Sequence, residues 1–427
     1  MKDYTAMNIE LPTIGIYGLG SQSGRAFFAD FIDRGYSVIG YNRPSANGTV
    51  VVNAINRAGG ITLQRPENNN KENTHFVSLG GSVATTDLSR LVNESDYIII
   101  ALPSIYQVDA AKAINDVRLK NQRPPLILSP SRTFASPYIW RLMGEEYPIA
   151  CLSTCPYSCK APSPEISLIK RRKRTFNISL EGDFSHRQKE ELRMLFPQAA
   201  VSRIPALTSL NNIGAVFHCA TYLMNIDEID RRASVNELFS FYMDGIAHRP
   251  DVGKVLEAID QTRLRIAQEL GFSTFGLEEN PREDIWRKLT NGLRALEEEH
   301  EGEIEVLRDL RRLFNEYLNT SITSAQHWLD ITYGVTRIEN EGISEAIGRT
   351  PTYQKNSVPQ KRYITEDIPT GLVPLEALGI MLGIDCSPIT KIIDVYNDRF
   401  GVDIRKSGRN LKDFDKEYII KYLKGQK

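Results

Sequence analysis

The sequence predicts an α/β protein: a Rossmann-type doubly wound sheet domain followed by a mostly α-helical domain. Three observations carry that expectation. The first is Ile14-Gly15-Ile16-Tyr17-Gly18-Leu19-Gly20-Ser21-Gln22-Ser23-Gly24, an apolar run and a glycine-rich turn, followed by a helical pattern at Ala26, Phe27, Phe28, Phe31 and Ile32. A strand feeding a helix through such a turn is the geometry in which a dinucleotide pyrophosphate meets backbone amides and the positive end of a helix dipole. The second is the alternation of apolar strands with helical stretches through the amino-terminal half. The third is the change to long helical patterns from about Ala206 onward. The boundary is expected near Ile204-Pro205, with a dinucleotide-binding domain over 1–205 and a helical domain over 206–427.

Each element follows in order. Gly18 permits the tight turn, Gly20 lets the backbone approach phosphates, and Gly24 allows close packing of helix on strand. Gly18, Leu19, Gly20, Ser21 and Gln22 are therefore the expected cofactor contacts of the turn. Tyr36-Ser37-Val38-Ile39-Gly40-Tyr41-Asn42-Arg43-Pro44 reads as a second short strand. The acidic residue that would hold the ribose hydroxyls of NAD is missing from its end. Arg43 stands there instead, a guanidinium suited to the 2′-phosphate of NADP, so NADP (NADPH) is expected in preference to NAD. A helical stretch at 50–58 leads through Gly59-Gly60 to a strand from Ile61, and the polar 66–75 segment is expected to be an exposed loop between two edge strands. Thr85-Thr86-Asp87-Leu88 opens a helix. The strand in 96–104 runs into Leu102 and Pro103, whose place at its carboxyl end should face the cofactor. Leu126-Ile127-Leu128-Ser129-Pro130-Ser131-Arg132 repeats the arrangement, and 149–154 is one more strand. The five basic residues at 170–174 read as a solvated strand or hairpin face, with an anion patch as the alternative. Beyond the boundary, helices are expected at 215–229, 252–270 and 285–318, the last with Leu307, Leu310, Leu313 and Phe314 at helical spacing.

Composition narrows the function. The chain has 427 residues, 41% hydrophobic and 25% charged, enough for two or three globular domains. A net charge of −1 gives no global attraction to nucleic acid or to anionic membranes. Residues 2–10 are polar, and the longest apolar run, 97–102, is far too short to span a bilayer, so a cytoplasmic location is expected. Five cysteines without a CxxC pair argue against a disulfide framework and a structural zinc site, and no metal is expected.

Among six histidines, His75, His186, His248 and His300 lie in polar contexts and read as solvated, and His327 beside Trp328 reads as packed. His218 sits in an otherwise apolar helical run just after the boundary, where a core role and a catalytic one are equally open. The segment Lys361-Arg362-Tyr363-Ile364-Thr365-Glu366-Asp367-Ile368-Pro369-Thr370-Gly371 offers two readings. Its Thr-Glu-Asp run caps the following helix, or Arg362 is an anion receptor and the carboxylates orient a histidine. A carboxylate in that role fixes the imidazole tautomer and is expected to raise its pKa.

Taken with the front motif, these segments resemble the octopine/nopaline (opine) dehydrogenase family. The resemblance covers Gly18-Leu19-Gly20, Ile100-Ala101-Leu102-Pro103, Ser129-Pro130-Ser131-Arg132-Thr133, Ser153-Thr154-Cys155-Pro156-Tyr157-Ser158-Cys159-Lys160, the stretch 211–225, the stretch 362–371, and Gly408-Arg409-Asn410-Leu411. It implies a reductive condensation, in which an amino acid amine and a 2-oxo acid such as pyruvate or 2-oxoglutarate form an imine that a nicotinamide hydride reduces. Carried over by position, His218 is the implied general acid/base, Asp367 its carboxylate partner and Arg362 the receiver of a substrate carboxylate. Tyr157 and Asn225 are implied as further substrate contacts. The family usually has proline where this chain has Cys219, which bears on local helix geometry. The length and Arg43 are similar to the bacterial branch that makes opine-type metallophores with NADPH. The implied partners are small molecules, with neither nucleic acid nor membrane, and amphipathic helices would suit a homodimer. Two other readings stand beside this one. Reductases of the ketopantoate or 6-phosphogluconate type rely on a lysine, and none lies in a comparable helix near His218. A non-catalytic NADP sensor would need none of His218, Arg362 and Asp367.

Overall fold

The computed structural model describes residues 11–66, 72–173, 176–277, 283–335, 338, 340–354 and 357–426. They fall into two compact units. One comprises Met1–Pro130, Ser136–Lys173 and Leu180–Pro197, the other Ser131–Ala135, Arg174–Ser179 and Gln198–Lys427.

The first unit begins β1 (Ile14–Tyr17), α1 (Gln22–Asp33), β2 (Val38–Tyr41), α2 (Ala46–Ala58), β3 (Gly60–Pro66), β4 (Glu72–Ser78), β5 (Val83–Thr85), α3 (Leu88–Glu94) and β6 (Tyr97–Ile100). It continues with α4 (Gln107–Val117), β7 (Leu126–Leu128), α5 (Ala135–Met143), β8 (Ile149–Leu152), β9 (Tyr157–Lys160) and β10 (Ile166–Arg172). Parallel strands run in the order β8-β7-β6-β1-β2-β5. Every residue of β1, β2, β6, β7 and β8 is buried, as expected of short apolar strands covered on both faces. The chain leaves β1 toward β2 on one side while β6 lies on the other, so the strand order reverses beside the glycine turn. Ligands of open α/β sheets bind at such a switch point.

A smaller sheet, β4-β3-β10-β9, packs against α1. Here the expected 66–75 loop is corrected: β3 and β4 pair as a long antiparallel hairpin, with register from Gly60↔Ser78 to Pro66↔Glu72. The Asn68-Asn69-Asn70 run lies outside the described residues. Its flanks alternate (Ile61 and Leu63 buried, Thr62 and Gln64 less so), which is the pattern of a one-face-buried strand. The basic run is corrected in part, because Arg172 pairs with Asp30, a carboxylate only 1% exposed that also accepts from Arg65 at 2.8 Å. An ionised carboxylate so deep needs these partners. His75 is likewise paired, its Nε2 lying 2.7 Å from Asp33. Helix α2 starts four residues before the expected 50–58 stretch, since Ser45 Oγ accepts from Gly48 N and caps it.

In chain order there follow β11 (Phe176–Glu181), α6 (His186–Leu195), β12 (Ala199–Ser202), α7 (Ala206–Ser209), α8 (Ile213–Met224), α9 (Ile226–Ser234), α10 (Pro250–Glu269), β13 (Thr274–Phe275), α11 (Glu283–Glu299), α12 (Ile304–Leu318), β14 (Ile322–Thr323) and α13 (Ala325–Tyr333). The last elements are α14 (Ile343–Arg349), α15 (Arg362–Thr365), α16 (Val373–Leu382), α17 (Ser387–Phe400), α18 (Ile404–Ser407) and α19 (Lys416–Leu423). The second unit is mainly helical, with α10 against α8, α14, α16 and α17. Two expected helices are each split. The 215–229 stretch breaks at Asn225, and 285–318 breaks at 300–303, where Gly302 has φ 92°. The fully buried Arg263 binds Asp260 at 2.6 Å and donates to the carbonyls of Leu210 and Thr323, fixing the turn that enters α8. His327 is buried against Ser324 Oγ at 2.6 Å. Among the described residues, no helix is long and apolar enough to cross a membrane.

Candidate active site

Two regions hold the residues expected to carry chemistry. In the first unit, the turn after β1 is held by its own amides. Gly18 N and Leu19 N both donate to Tyr41 O, at 3.0 and 2.9 Å, and Gly20 N donates to Asn42 Oδ1 at 2.9 Å. Leu19 itself is fully buried. Ser21 caps α1, accepting from Gly24 N at 2.8 Å while donating to Ala101 O at 2.8 Å. Gln22 is the first residue of α1, and the first-turn amides of a helix have no partner within it. No acidic residue occupies that first turn, leaving its positive dipole end uncompensated.

The glycines fit a dinucleotide. Gly18 has φ 104°, and a Cβ there would lie 2.7 Å from Leu102 Cδ2. A Cβ on Gly24 would lie 2.1 Å from Gly18 O, a backbone atom that cannot yield. A cavity of about 470 Å³ opens beside the turn, lined by Gly20, Arg25, Asn42, Ser45, Asn47 and Ser163 among others. That size suits part of a cofactor. Arg25 is tied across it, donating to Ser163 O at 2.6 Å and Gly20 O at 3.1 Å. Arg43 follows β2 with its side chain exposed, and Leu102 and Pro103 are half-buried after β6.

In the second unit, His218 projects from α8, a helix otherwise apolar nearly all round. Its Nδ1 lies 2.6 Å from Asp367 Oδ2. Its ring stacks on Tyr363 at 4.0 Å and 19°, and its Nε2 lies 3.5 Å from the Tyr242 hydroxyl. Asp367 is 1% exposed and Tyr363 7%, whereas Arg362, on the same short α15, is exposed and donates to Gln360 Oε1 at 2.6 Å. Asp367 and Tyr242 each immediately precede a π-helical turn, at Ile368–Leu372 and Met243–Ala247. Such turns re-aim side chains within helical segments. Cys219 causes no break in α8. It is fully buried, and its thiol donates to Tyr363 O at 3.7 Å, tying α8 to α15.

The sequence reasoning passed over Arg132 and Tyr242. Arg132 has φ 61°, an uncommon backbone for a side chain of its size, and its side chain is 10% exposed. Its Nη2 lies 2.9 Å from Asp367 Oδ1, its Nε 3.4 Å from Glu366 Oε1 and its Nη1 3.2 Å from Asn212 Oδ1. The turn around it is braced by Arg409, which donates to the carbonyls of Ser131 and Thr133 at 3.0 and 2.7 Å. Thr133 N also donates to Thr370 O at 3.1 Å.

The expected rise in the His218 pKa is reversed. Burial pushes it below its ordinary value, the charges of Arg132 and Arg362 push the same way, and Asp367 offsets them only in part. Burial pushes the Asp367 carboxyl up, but Arg132 and His218 outweigh it and hold the group below the usual carboxylate range. The dyad is therefore a carboxylate facing a neutral imidazole at pH 7, with Nδ1–H donated to Asp367 and Nε2 carrying the lone pair.

The two further expected substrate contacts, Tyr157 and Asn225, are both buried. Tyr157 is 6% exposed, its hydroxyl donates to Asp30 at 2.9 Å, and its ring meets Phe27 edge-on. Asn225 is 3% exposed and joins α8 to α9. Its amide donates to the carbonyls of Thr221 and Gly245, and its Oδ1 accepts from Arg249 at 2.8 Å. Both polar ends are committed to the fold.

The family described as NAD/NADP octopine/nopaline dehydrogenase, alpha-helical domain, matches residues 206–399. An opine dehydrogenase of Arthrobacter sp. (strain 1C) is 23% identical over 416 residues, covering 95% of each chain. An octopine dehydrogenase solved with NADH and pyruvate superimposes with a TM-score of 0.68 at 16% identity, covering 97% of this chain and 98% of that one. Yersinopine dehydrogenase with NADP+ bound gives 0.57 at 14% identity, over 98% and 100% of the two chains. The helical region 206–399 thus matches the octopine/nopaline dehydrogenase family, and the chain shares the fold of octopine dehydrogenase over nearly its whole length.

Proposed function

We propose that this chain is an NADPH-dependent opine dehydrogenase, condensing the amine of an amino acid with a 2-oxo acid through an imine. The observation that carries the reading is the buried His218–Asp367 pair, 2.6 Å apart, with Nε2 of the imidazole directed away from the carboxylate. The cofactor, when bound, supplies the hydride that reduces the imine carbon. His218 does the proton work. Neutral His218 accepts a proton at Nε2 from the attacking ammonium, and the imidazolium returns it to the hydroxyl that leaves as water. Asp367 holds the tautomer and stabilises the transient positive charge. General acid/base help of this kind supplies about a hundredfold to ten-thousandfold in rate. Arg362 is proposed to receive a substrate carboxylate, a task its two-pronged donors suit. It lies next to Tyr363, whose ring stacks on His218.

The glycine turn, the first turn of α1 and the cavity beside Asn42 would hold the dinucleotide. The NADPH preference rests on the end of β2. Arg43 stands there, and no described residue lining the cavity is acidic, so nothing repels a 2′-phosphate. Octopine dehydrogenase was solved with NADH and yersinopine dehydrogenase with NADP+, so the choice turns on this chain's own residues.

The test is oxidation of NADPH with pyruvate or 2-oxoglutarate and a panel of amino acids, with mass spectrometry of the products. Amine-dependent turnover yielding a secondary amine dicarboxylate is the expected result. Tight NADPH binding without turnover across a broad panel would instead favour a cofactor sensor.

A further inference from the structure

Arg132 has no part in the proton transfer just described, yet it is built into the same cluster at unusual structural cost. An arginine at φ 61° would be cheaper as glycine or asparagine. Its guanidinium is almost wholly buried and meets two carboxylates, Asp367 and Glu366. The turn that presents it is held by Arg409 and by Thr370. Gly214, in the first turn of α8, leaves room for it. A Cβ there would lie 2.7 Å from Arg132 Nη1 and 3.5 Å from His218 Cε1, so guanidinium and imidazole flank one glycine.

The two oxygens of Asp367 are divided between these neighbours: Oδ2 faces His218 and Oδ1 faces Arg132. We propose that Arg132 is a positioning residue for the His218–Asp367 pair: it holds the second carboxylate oxygen and keeps His218 uncharged in the resting protein, ready to accept a proton at Nε2. The charges explain why. Asp367 places a negative charge beside the imidazole, which burial opposes. With no cation nearby, that charge favours a proton on the ring and a histidine locked as a cation to Asp367. Arg132, 2.9 Å from Oδ1, adds its positive charge to the effect of burial, so the pair keeps an orienting hydrogen bond without becoming a fixed salt bridge. The remaining groups facing His218 are Arg362 and Tyr363 from α15, Tyr242 ahead of the π turn and Cys219 on α8. The two tyrosines and the thiol are all pushed above their ordinary pKa values by burial and stay neutral, so Arg132 and Arg362 are the cations that balance the site.

This inference rests on His218 as the acid/base, and its test is read without turnover. Nitrogen-15-labelled histidine gives the titration midpoint of His218 directly, the resonance being identified by its loss in His218→Gln. Arg132→Gln should raise the midpoint by at least one pH unit, a tenfold gain in proton affinity, whereas Arg132→Lys, which keeps the charge, should leave it within about a third of a unit. Arg132→Met is a second neutral variant should the buried amide of Arg132→Gln prevent folding. All three keep a Cβ at the same left-handed position, so backbone strain does not distinguish them. An unmoved midpoint in a folded neutral variant, or an equal rise in Arg132→Lys, overturns the proposal. If His218→Gln retains full turnover while Arg132→Gln still raises the midpoint, the catalytic reading falls and the positioning of His218 by Arg132 stands.

Discussion

The glycine turn of the first unit and the histidine cluster of the second are built from different material. The turn is made of backbone: Gly18, Gly20, Ser21 and Gly24 lie within seven residues, and their spacing alone sets the path of the chain. The cluster is made of side chains drawn from near 132, 212, 218, 242 and 367. In the turn, a side chain does harm by existing. In the cluster, Arg132, His218 and Asp367 matter by their charge. A backbone site therefore fails through added bulk, and a side-chain site through altered proton balance.

That contrast is open to attack from both ends. The largest effect is expected at His218. His218→Gln should cut turnover by about a hundredfold to ten-thousandfold while NADPH binding, followed by fluorescence titration, stays unchanged. Loss of cofactor binding would erase the distinction between the regions. The proton balance is next. Because the folded pKa of His218 lies below 6.5, the imidazole is neutral at pH 7 and its acid form is lost as pH rises through the midpoint. Reductive turnover that begins with proton transfer to neutral His218 should therefore level off above the midpoint and fall about tenfold per pH unit below it. Turnover that holds level on acidification through the midpoint would contradict this assignment. On the backbone side, Gly24→Ala drives a Cβ to within 2.1 Å of Gly18 O, and overpacking of this kind costs about 1–3 kcal/mol. Gly20→Ala meets only the side chain of Asn42 at 2.9 Å and should cost clearly less, both being read by thermal unfolding and NADPH affinity. Equal losses would mean that the turn does not depend on backbone clearance. Arg43→Asp should have the narrowest effect, weakening NADPH by about tenfold to a hundredfold and NADH little, in line with a lost charge-assisted bond. An equal loss of both cofactors would remove Arg43 from the 2′-phosphate.

The same contrast explains what was legible in the sequence. A backbone turn is local, so an eleven-residue window with apolar flanks reveals strand, turn and helix together. The buried strands were as plain, because a parallel sheet needs continuous apolar runs. The hairpin β3–β4 was obscured because its polar positions face outward while only alternate residues are buried. The break at Asn225 was hidden because apolar periodicity continues across it, and only its side-chain bonds reveal the end of α8. His218 and Asp367 stood out through family resemblance, since nothing in the sequence announces a pairing of residues 149 positions apart. Arg132 was passed over because an arginine after a proline-containing turn reads as solvated. Only the fold shows that Asp367 and Glu366 are waiting for it. The direction of the His218 shift failed for the same reason: a carboxylate alone would raise it, and the burial and arginines that reverse it come from elsewhere in the chain.

The bond from Arg409 to Ser131 O spans 278 residues and closes the turn that carries Arg132. At roughly 5–20 residues per second, a ribosome needs about 15 to 55 s to travel from one partner to the other. During that interval a nascent chain already displays its glycine turn but has neither Asp367 nor the brace behind Arg132. Cofactor recognition can therefore mature during synthesis, whereas the proton-handling centre is a late event, completed only when the carboxyl-terminal segment emerges and folds back.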